Sequence, residues 1–141
     1  MKRVHFIGIS GIGMSGVALF ANDLGYRVSG SSDQDNDRVS LLRNQGISVQ
    51  IGHQRDNIHD PDICVFTTAV SEQNPELIEA HHQNITVLSR LDFFRQLLRE
   101  SKRDLIGITG TDGKTSTTAM IGHILIHMGL DPTIILGGLH R

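Results

Sequence analysis

At 141 residues, with 38% hydrophobic and 20% charged, the chain holds enough apolar material for one ordinary core but too little for two full-sized domains. A net charge of −2 gives no general field for nucleic acid or an anionic membrane. No apolar run approaches the roughly 18 residues of a membrane helix, so the elements are those of an ordinary globular protein.

Val4–Ile9 reads as the first strand, and Met1-Lys2-Arg3-Val4 runs into it without the apolar core and cleavage site of a signal peptide. The strand leads into Gly8-Ile9-Ser10-Gly11-Ile12-Gly13-Met14-Ser15-Gly16 and a helix over Gly13–Leu24, stopped by Gly25. Gly11-x-Gly13-x-x-Gly16 between strand and helix fits the dinucleotide fingerprint. Its glycines allow a tight turn and close approach of a pyrophosphate, and the helix start offers free N–H groups. The plainer reading is a tight turn without a ligand.

Arg27–Gly30 is the second strand. An NAD site wants an acidic residue at its end for the ribose diol. Here Ser31 and Ser32 come first and Asp33 follows late, which speaks against a dehydrogenase. A helix over Asp37–Gln45 stops at Gly46, and Arg38 near its start is either solvated or a phosphate contact. Ile47–Ile51 is a third strand, and His53 just past it and Gly52 suits a ligand contact.

Ile63–Thr67 is a fourth strand; its Cys64, the only cysteine, reads as a small buried hydrophobe and fits a reducing cytoplasm. Asn74-Pro75-Glu76 is a helix start, with Asn as cap, Pro at the first position and Glu facing the positive end of the dipole. His81 and His82 are adjacent, point in different directions and do not suit chelation. After a strand over Ile85–Leu88, Leu91, Phe94, Leu97 and Leu98 form one apolar helical stripe. His5, in the first strand, reads as a packed or hydrogen-bonded residue.

The polar stretch Glu100–Asp104 is the expected domain junction, giving domains over 1–103 and 104–141. Leu105–Thr109 reads as a strand entering Gly110-Thr111-Asp112-Gly113-Lys114-Thr115-Ser116-Thr117 and a helix. In a P-loop the backbone N–H groups cradle phosphates, the lysine neutralises them and the next hydroxyl ligates Mg²⁺. Lys114 and Thr115 fill those places, although Ile108 stands where the strict motif has its first glycine. Met120, Ile121, Ile124, Leu125 and Met128 form the stripe of the last helix, ended by Gly129, and Thr133–Leu136 reads as a final strand. His123 and His127 have metal-binding spacing but no third ligand beside them.

Strands that are continuous apolar runs alternating with helices predict an α/β fold with a parallel sheet and helices on both faces. A dehydrogenase has no use for the second loop, and a simple P-loop ATPase has no use for the first. The two loops, with Ser29-Gly30-Ser31, Ile51-Gly52-His53, Thr68-Ala69-Val70-Ser71, Asn74-Pro75-Glu76 and Asp131-Pro132-Thr133, resemble the Mur ligase family of peptidoglycan synthesis along essentially the whole chain.

The resemblance implies a Rossmann-like first domain for a UDP-sugar, followed by the first elements of a P-loop ATPase domain. Gly11, Ile12 and Gly13 would hold the diphosphate, while Ser31, Ser32, His53, Thr68, Ala69 and Val70 would lie near uridine and ribose. Gly110, Thr111, Asp112, Gly113, Lys114, Thr115 and Ser116 would bind ATP, with Lys114 and Thr115 catalytic and Thr115 on Mg²⁺. The implied reaction phosphorylates the lactyl carboxylate of UDP-N-acetylmuramate with ATP, and the amine of L-alanine attacks the acyl phosphate.

Asp112 stands where the family has His, and Ser32 where it has an acidic residue. The family continues well past this length, so the stretch is expected to bind the UDP-sugar and not to run the ligation alone. The rival readings are an NAD(P)-binding oxidoreductase domain and a non-catalytic UDP-sugar-binding module.

Overall fold

The computed structural model describes residues 1–135. The chain divides into two compact units, Met1–Ser101 and Lys102–Arg141.

In the first unit, five parallel strands form one sheet in the order β3-β2-β1-β4-β5. They are β1 Arg3–Ile7, β2 Arg27–Ser32, β3 Ser48–Ile51, β4 Ile63–Phe66 and β5 Thr86–Ser89. β1 is central: Val4 pairs with Val28 on one side and with Ile63 on the other. The helices are α1 Ile12–Asp23, α2 Asp37–Asn44, α3 Pro75–His82 and α4 Arg90–Ser101, with a short 3-10 turn at Arg55–Asn57.

Covered on both faces, β1 is mostly apolar: Val4, Phe6 and Ile7 are fully buried, and the one buried polar residue among them, His5, is hydrogen-bonded to Ser29. Its alternating side chains serve two half-cores. Ile7 joins Ile58, Cys64, Leu77 and Ala80 against α3. Phe6 meets Phe93 of α4 edge-to-face at 5.6 Å, and Tyr26 meets the same ring at 5.8 Å. Gly30 marks a close crossing in β2, where a Cβ would stand 2.7 Å from the Ile9 Cβ and the Phe6 carbonyl oxygen.

The buried face of α4 keeps part of the expected stripe, with Leu97 in it and Phe94 meeting Phe20 edge-to-face at 6.2 Å, but Phe93 joins it and Leu91 does not. Phe93 and Leu97 are buried completely, while Leu91 is 54% exposed. The five apolar positions between 91 and 98 allow two overlapping stripes, and the aromatic pocket formed by Phe6 and Tyr26 selects the one through Phe93.

The second unit holds one helix among its described residues, α5 Lys114–His127. The strand expected over Leu105–Thr109 is absent, and Leu105 and Ile106 remain exposed. A strand exists only with a partner for its backbone N–H and C=O groups, and none pairs with this run among the described residues. The final strand expected over Thr133–Leu136 is likewise not formed at 133–135, and Leu136 lies outside the described residues. Of the α5 stripe, Met120, Ile124 and Met128 are exposed.

Candidate functional site

The strand order turns back at β1 and β4, and the crevice beyond their carboxyl ends is where ligands sit in open α/β sheets. A cleft of about 980 Å³ occupies that place. Its walls come from the loop after β1 (Gly8 and Ser10–Met14), the ends beyond β2 and β3 (Asp33, Gln34, Asn36 and His53), the segment from Phe66 to Ser71, and Ser89–Leu91.

Helix capping separates the two glycine-loop helices from the rest. Asn36 Oδ1 accepts from Arg38 N and Val39 N at the start of α2. Asn74 Oδ1 does so for Glu76 N and Leu77 N at α3, with Pro75 in the first turn as expected. Ser89 Oγ accepts from Asp92 N at α4. By contrast α1 and α5 have glycine caps, Gly11 and Gly113, with no side-chain acceptor. At α1 the Met14 N–H donates to the Gly11 carbonyl at 2.9 Å, which leaves the Ile12 and Gly13 N–H groups, at the positive end of the dipole, as those that could meet an anion. They face the cleft. Gly8 at φ +75° makes the turn into the loop, and Gly11 N closes it by donating to the Gly8 carbonyl at 3.1 Å.

The expected sugar-nucleotide residues separate into two sets. Gly11, Ile12, Gly13, His53, Thr68, Ala69 and Val70 line the cleft. Ser31 and Ser32 are fully buried behind its wall, with their hydroxyls already engaged. Ser31 Oγ donates to Glu76 Oε2 at 2.6 Å, while Ser32 Oγ donates to the Gln34 carbonyl at 2.8 Å and lies 2.6 Å from Ser10 Oγ. Asp33 takes their place at the cleft surface. Arg38, left open as solvated or ligand-facing, donates from Nη1 to the Ser10 carbonyl at 3.4 Å and so braces the loop.

Glu76 is the residue the sequence did not single out for the site. It is fully buried, and its carboxylate gathers Ser31, His53 Nδ1 at 2.9 Å and Asn57 Nδ2, with His5 Nε2 at 3.8 Å. Burial pushes this carboxyl up, but His5, Ser31, Asn57 and His53 together outweigh it and leave it at about 2. His53 is thereby fixed in the cleft wall between Glu76 and Asp33, whose Oδ1 lies 3.0 Å from Nε2. His5, expected to be packed or hydrogen-bonded, is both: it is buried, with Nδ1 3.0 Å from Ser29 Oγ. Cys64 is inert, its thiol pushed up to about 12 by burial and by the Glu76 charge.

In the second unit the Gly110–Ser116 loop is exposed, with Gly113 at φ +75° turning the chain into α5. Lys114 Nζ donates to the Thr111 carbonyl at 2.8 Å and to the Gly110 carbonyl. The ammonium thus folds back onto two carbonyl oxygens of its own loop. Thr115 presents a hydroxyl in the first turn of α5. The described residues hold no group of three or more His, Cys, Asp or Glu that could by itself bind a metal. One hydroxyl suits an ion held mainly by phosphate oxygens and water, as Mg²⁺ commonly is. His127 Nδ1 bonds the His123 carbonyl oxygen at 3.2 Å, which is a helix-internal contact.

Residues 3–102 match the family described as Mur ligase family, catalytic domain. The chain is 44% identical over 97% of its length to a UDP-N-acetylmuramate–L-alanine ligase of Thermotoga petrophila, and covers 30% of that protein. A Rhizobium meliloti protein of the same name is 47% identical over 96% of the chain, which covers 28% of it. The crystal structure of UDP-N-acetylmuramate–alanine ligase from Thermotoga maritima superposes with a TM-score of 0.92 at 42% identity, over 99% of this chain and 33% of that one. A murein peptide ligase from Psychrobacter arcticus gives 0.81 at 29% identity, over 92% of this chain and 27% of that one. The chain thus spans about 30% of the length of the curated relatives it matches.

Proposed function

The chain belongs to the Mur ligase family, and on that premise we propose that it is the N-terminal part of an ATP-dependent ligase joining L-alanine to UDP-N-acetylmuramate. In this reading residues 1–103 bind the sugar nucleotide, and residues 104–141 begin the ATPase domain. The observation that carries it is the cleft at the strand-order reversal, floored by the uncapped start of α1. Identity to ligases of that name supports the choice of UDP-N-acetylmuramate. The presence of a second glycine loop with Gly-Lys-Thr counts against an NAD(P)-binding domain, although Asp33 directly follows β2 and lines the cleft.

The chemistry follows from the electrophile. A carboxylate is a poor acceptor for an amine, so the lactyl carboxylate attacks the γ-phosphorus of ATP and ADP leaves. The amine of L-alanine then attacks the acyl carbon, the amide bond forms, and inorganic phosphate leaves as the amine gives up its proton. The loop N–H groups at Gly110–Thr115 and the Lys114 ammonium would stabilise charge on the transferred phosphoryl group, and the Thr115 hydroxyl would hold Mg²⁺. Mg²⁺ supplies further neutralisation of the phosphate oxygens when bound. On the sugar-nucleotide side, the α1 start binds the diphosphate, and His53 and the Thr68–Val70 segment flank the nucleoside. Ser31 and Ser32 act from behind, through His53 and Ser10. The reading places the protein in the cytoplasm, where UDP-sugars and ATP are found. No described helix is long and apolar enough to cross a membrane.

Calorimetric titration of the chain with UDP-N-acetylmuramate and, separately, with NADH tests this. Saturable binding of the UDP-sugar without a response to NADH is expected. Tight NADH binding with no response to the UDP-sugar would sink it.

A further inference from the structure

Gly13 is a glycine that its own backbone does not require. Unlike Gly8, it has no φ in the left-handed region, and it sits inside the first turn of α1. What it provides is room: a Cβ there would run into the guanidinium of Arg90.

Arg90 is not placed for the benefit of its helix. It opens α4, where a cation faces the unfavourable end of the dipole. The carboxylate of the same turn, Asp92, is engaged by Ser89 Oγ at 2.6 Å and by Arg95 Nη1 at 3.3 Å. Among the described residues Arg90 has no hydrogen bond or ion pair, although it lines the cleft and lies against the glycine loop. Arg90 is exposed, so its five N–H donors are open to solvent, beside an uncapped helix start whose Ile12 and Gly13 N–H groups also lack a protein acceptor.

We infer that Arg90 is the second half of the diphosphate site, closing on the phosphates from β5 while the Gly11–Gly13 backbone holds them from β1. The inference rests on the reading of the cleft as a nucleoside-diphosphate site. A guanidinium fork and backbone N–H groups are complementary ligands for a diphosphate: one gives charge and bidentate geometry, the other a fixed cradle. Gly13 then serves both, since any side chain there would displace the arginine and crowd the phosphate.

NMR titration of the chain, and of Arg90→Ala and Arg90→Lys, with UDP and with uridine tests this, because it reads weak and tight binding alike. UDP affinity is expected to fall about 10–100-fold in Arg90→Ala, the range for a charge-assisted hydrogen bond, and less in Arg90→Lys. Uridine affinity and the thermal midpoint should not change. UDP binding by Arg90→Ala equal to that of the parent would overturn the inference and leave the nucleotide reading standing. An equal loss for UDP and uridine would also overturn it, by showing a structural role. A parent chain that binds uridine but gains nothing from the diphosphate, or that binds neither, would sink both readings.

Discussion

Glu76 concentrates the electrostatics of the first unit in one side chain. A buried carboxylate is tolerated only when its oxygens are met by donors, and here Ser31, His53 and Asn57 meet them, with His5 Nε2 nearby at 3.8 Å. Because its carboxyl sits at about 2 in the folded protein against an ordinary 4.5, the native state favours the ionised form. The stability this brings is complete above about 4.5 and drains away as pH falls toward 2. The loss is on the order of 3 kcal/mol. Urea unfolding of the parent and of Glu76→Gln at pH 7 and pH 3 reads it directly. The variant should be less stable by about 3–5 kcal/mol at pH 7, and the gap should narrow at pH 3. A gap of the same size at both pH values would show that charge is not what Glu76 contributes. In the sequence Glu76 shows only as an acid at a helix start. Its partners His53 and Ser31 lie 23 and 45 residues away, and local patterning carries no sign of them.

At the scale of elements, a helix or strand was legible wherever its signal was complete within the segment. Asn74-Pro75 announces α3 because cap and first turn are neighbours in the chain, and β1 and β4 are recognisable as continuous apolar runs. The α4 stripe was legible as a helix and in part of its buried face; the place of Phe93 was not, since Phe93 and Phe94 are equally apolar and only the tertiary partners distinguish them. Phe93→Ala should therefore cost about 3–5 kcal/mol, and Leu91→Ala, at an exposed position, within about 0.5 kcal/mol. Thermal or chemical denaturation of the two variants decides between the stripes, and the reverse order would restore the one through Leu91. Leu105–Thr109 looks like β4 in the sequence, yet it is not a strand here. Apolar character is a property of a segment, whereas pairing belongs to its neighbours. The cleft itself was legible as a glycine loop. The engagement of Ser31 and Ser32 behind the wall was not, because nothing local shows that Glu76 and Gln34 claim their hydroxyls.

For the whole molecule, two helices with bare starts follow two glycine loops. In the proposed function the loop at Gly8–Gly16 would take the UDP-sugar, and the loop at Gly110–Ser116 would take ATP with Mg²⁺. The first belongs to a unit whose five-stranded sheet and two half-cores are built within residues 1–101. The second stands on one helix whose apolar stripe is partly exposed. Backbone amide shifts on adding UDP-N-acetylmuramate alone test this division of labour. Large shifts are expected at Ile12, Gly13 and Met14, and at Asp33, His53 and Thr68–Val70, with residues 110–116 unmoved. Shifts confined to Gly110–Ser116, with the Gly8–Gly16 loop silent, would contradict it.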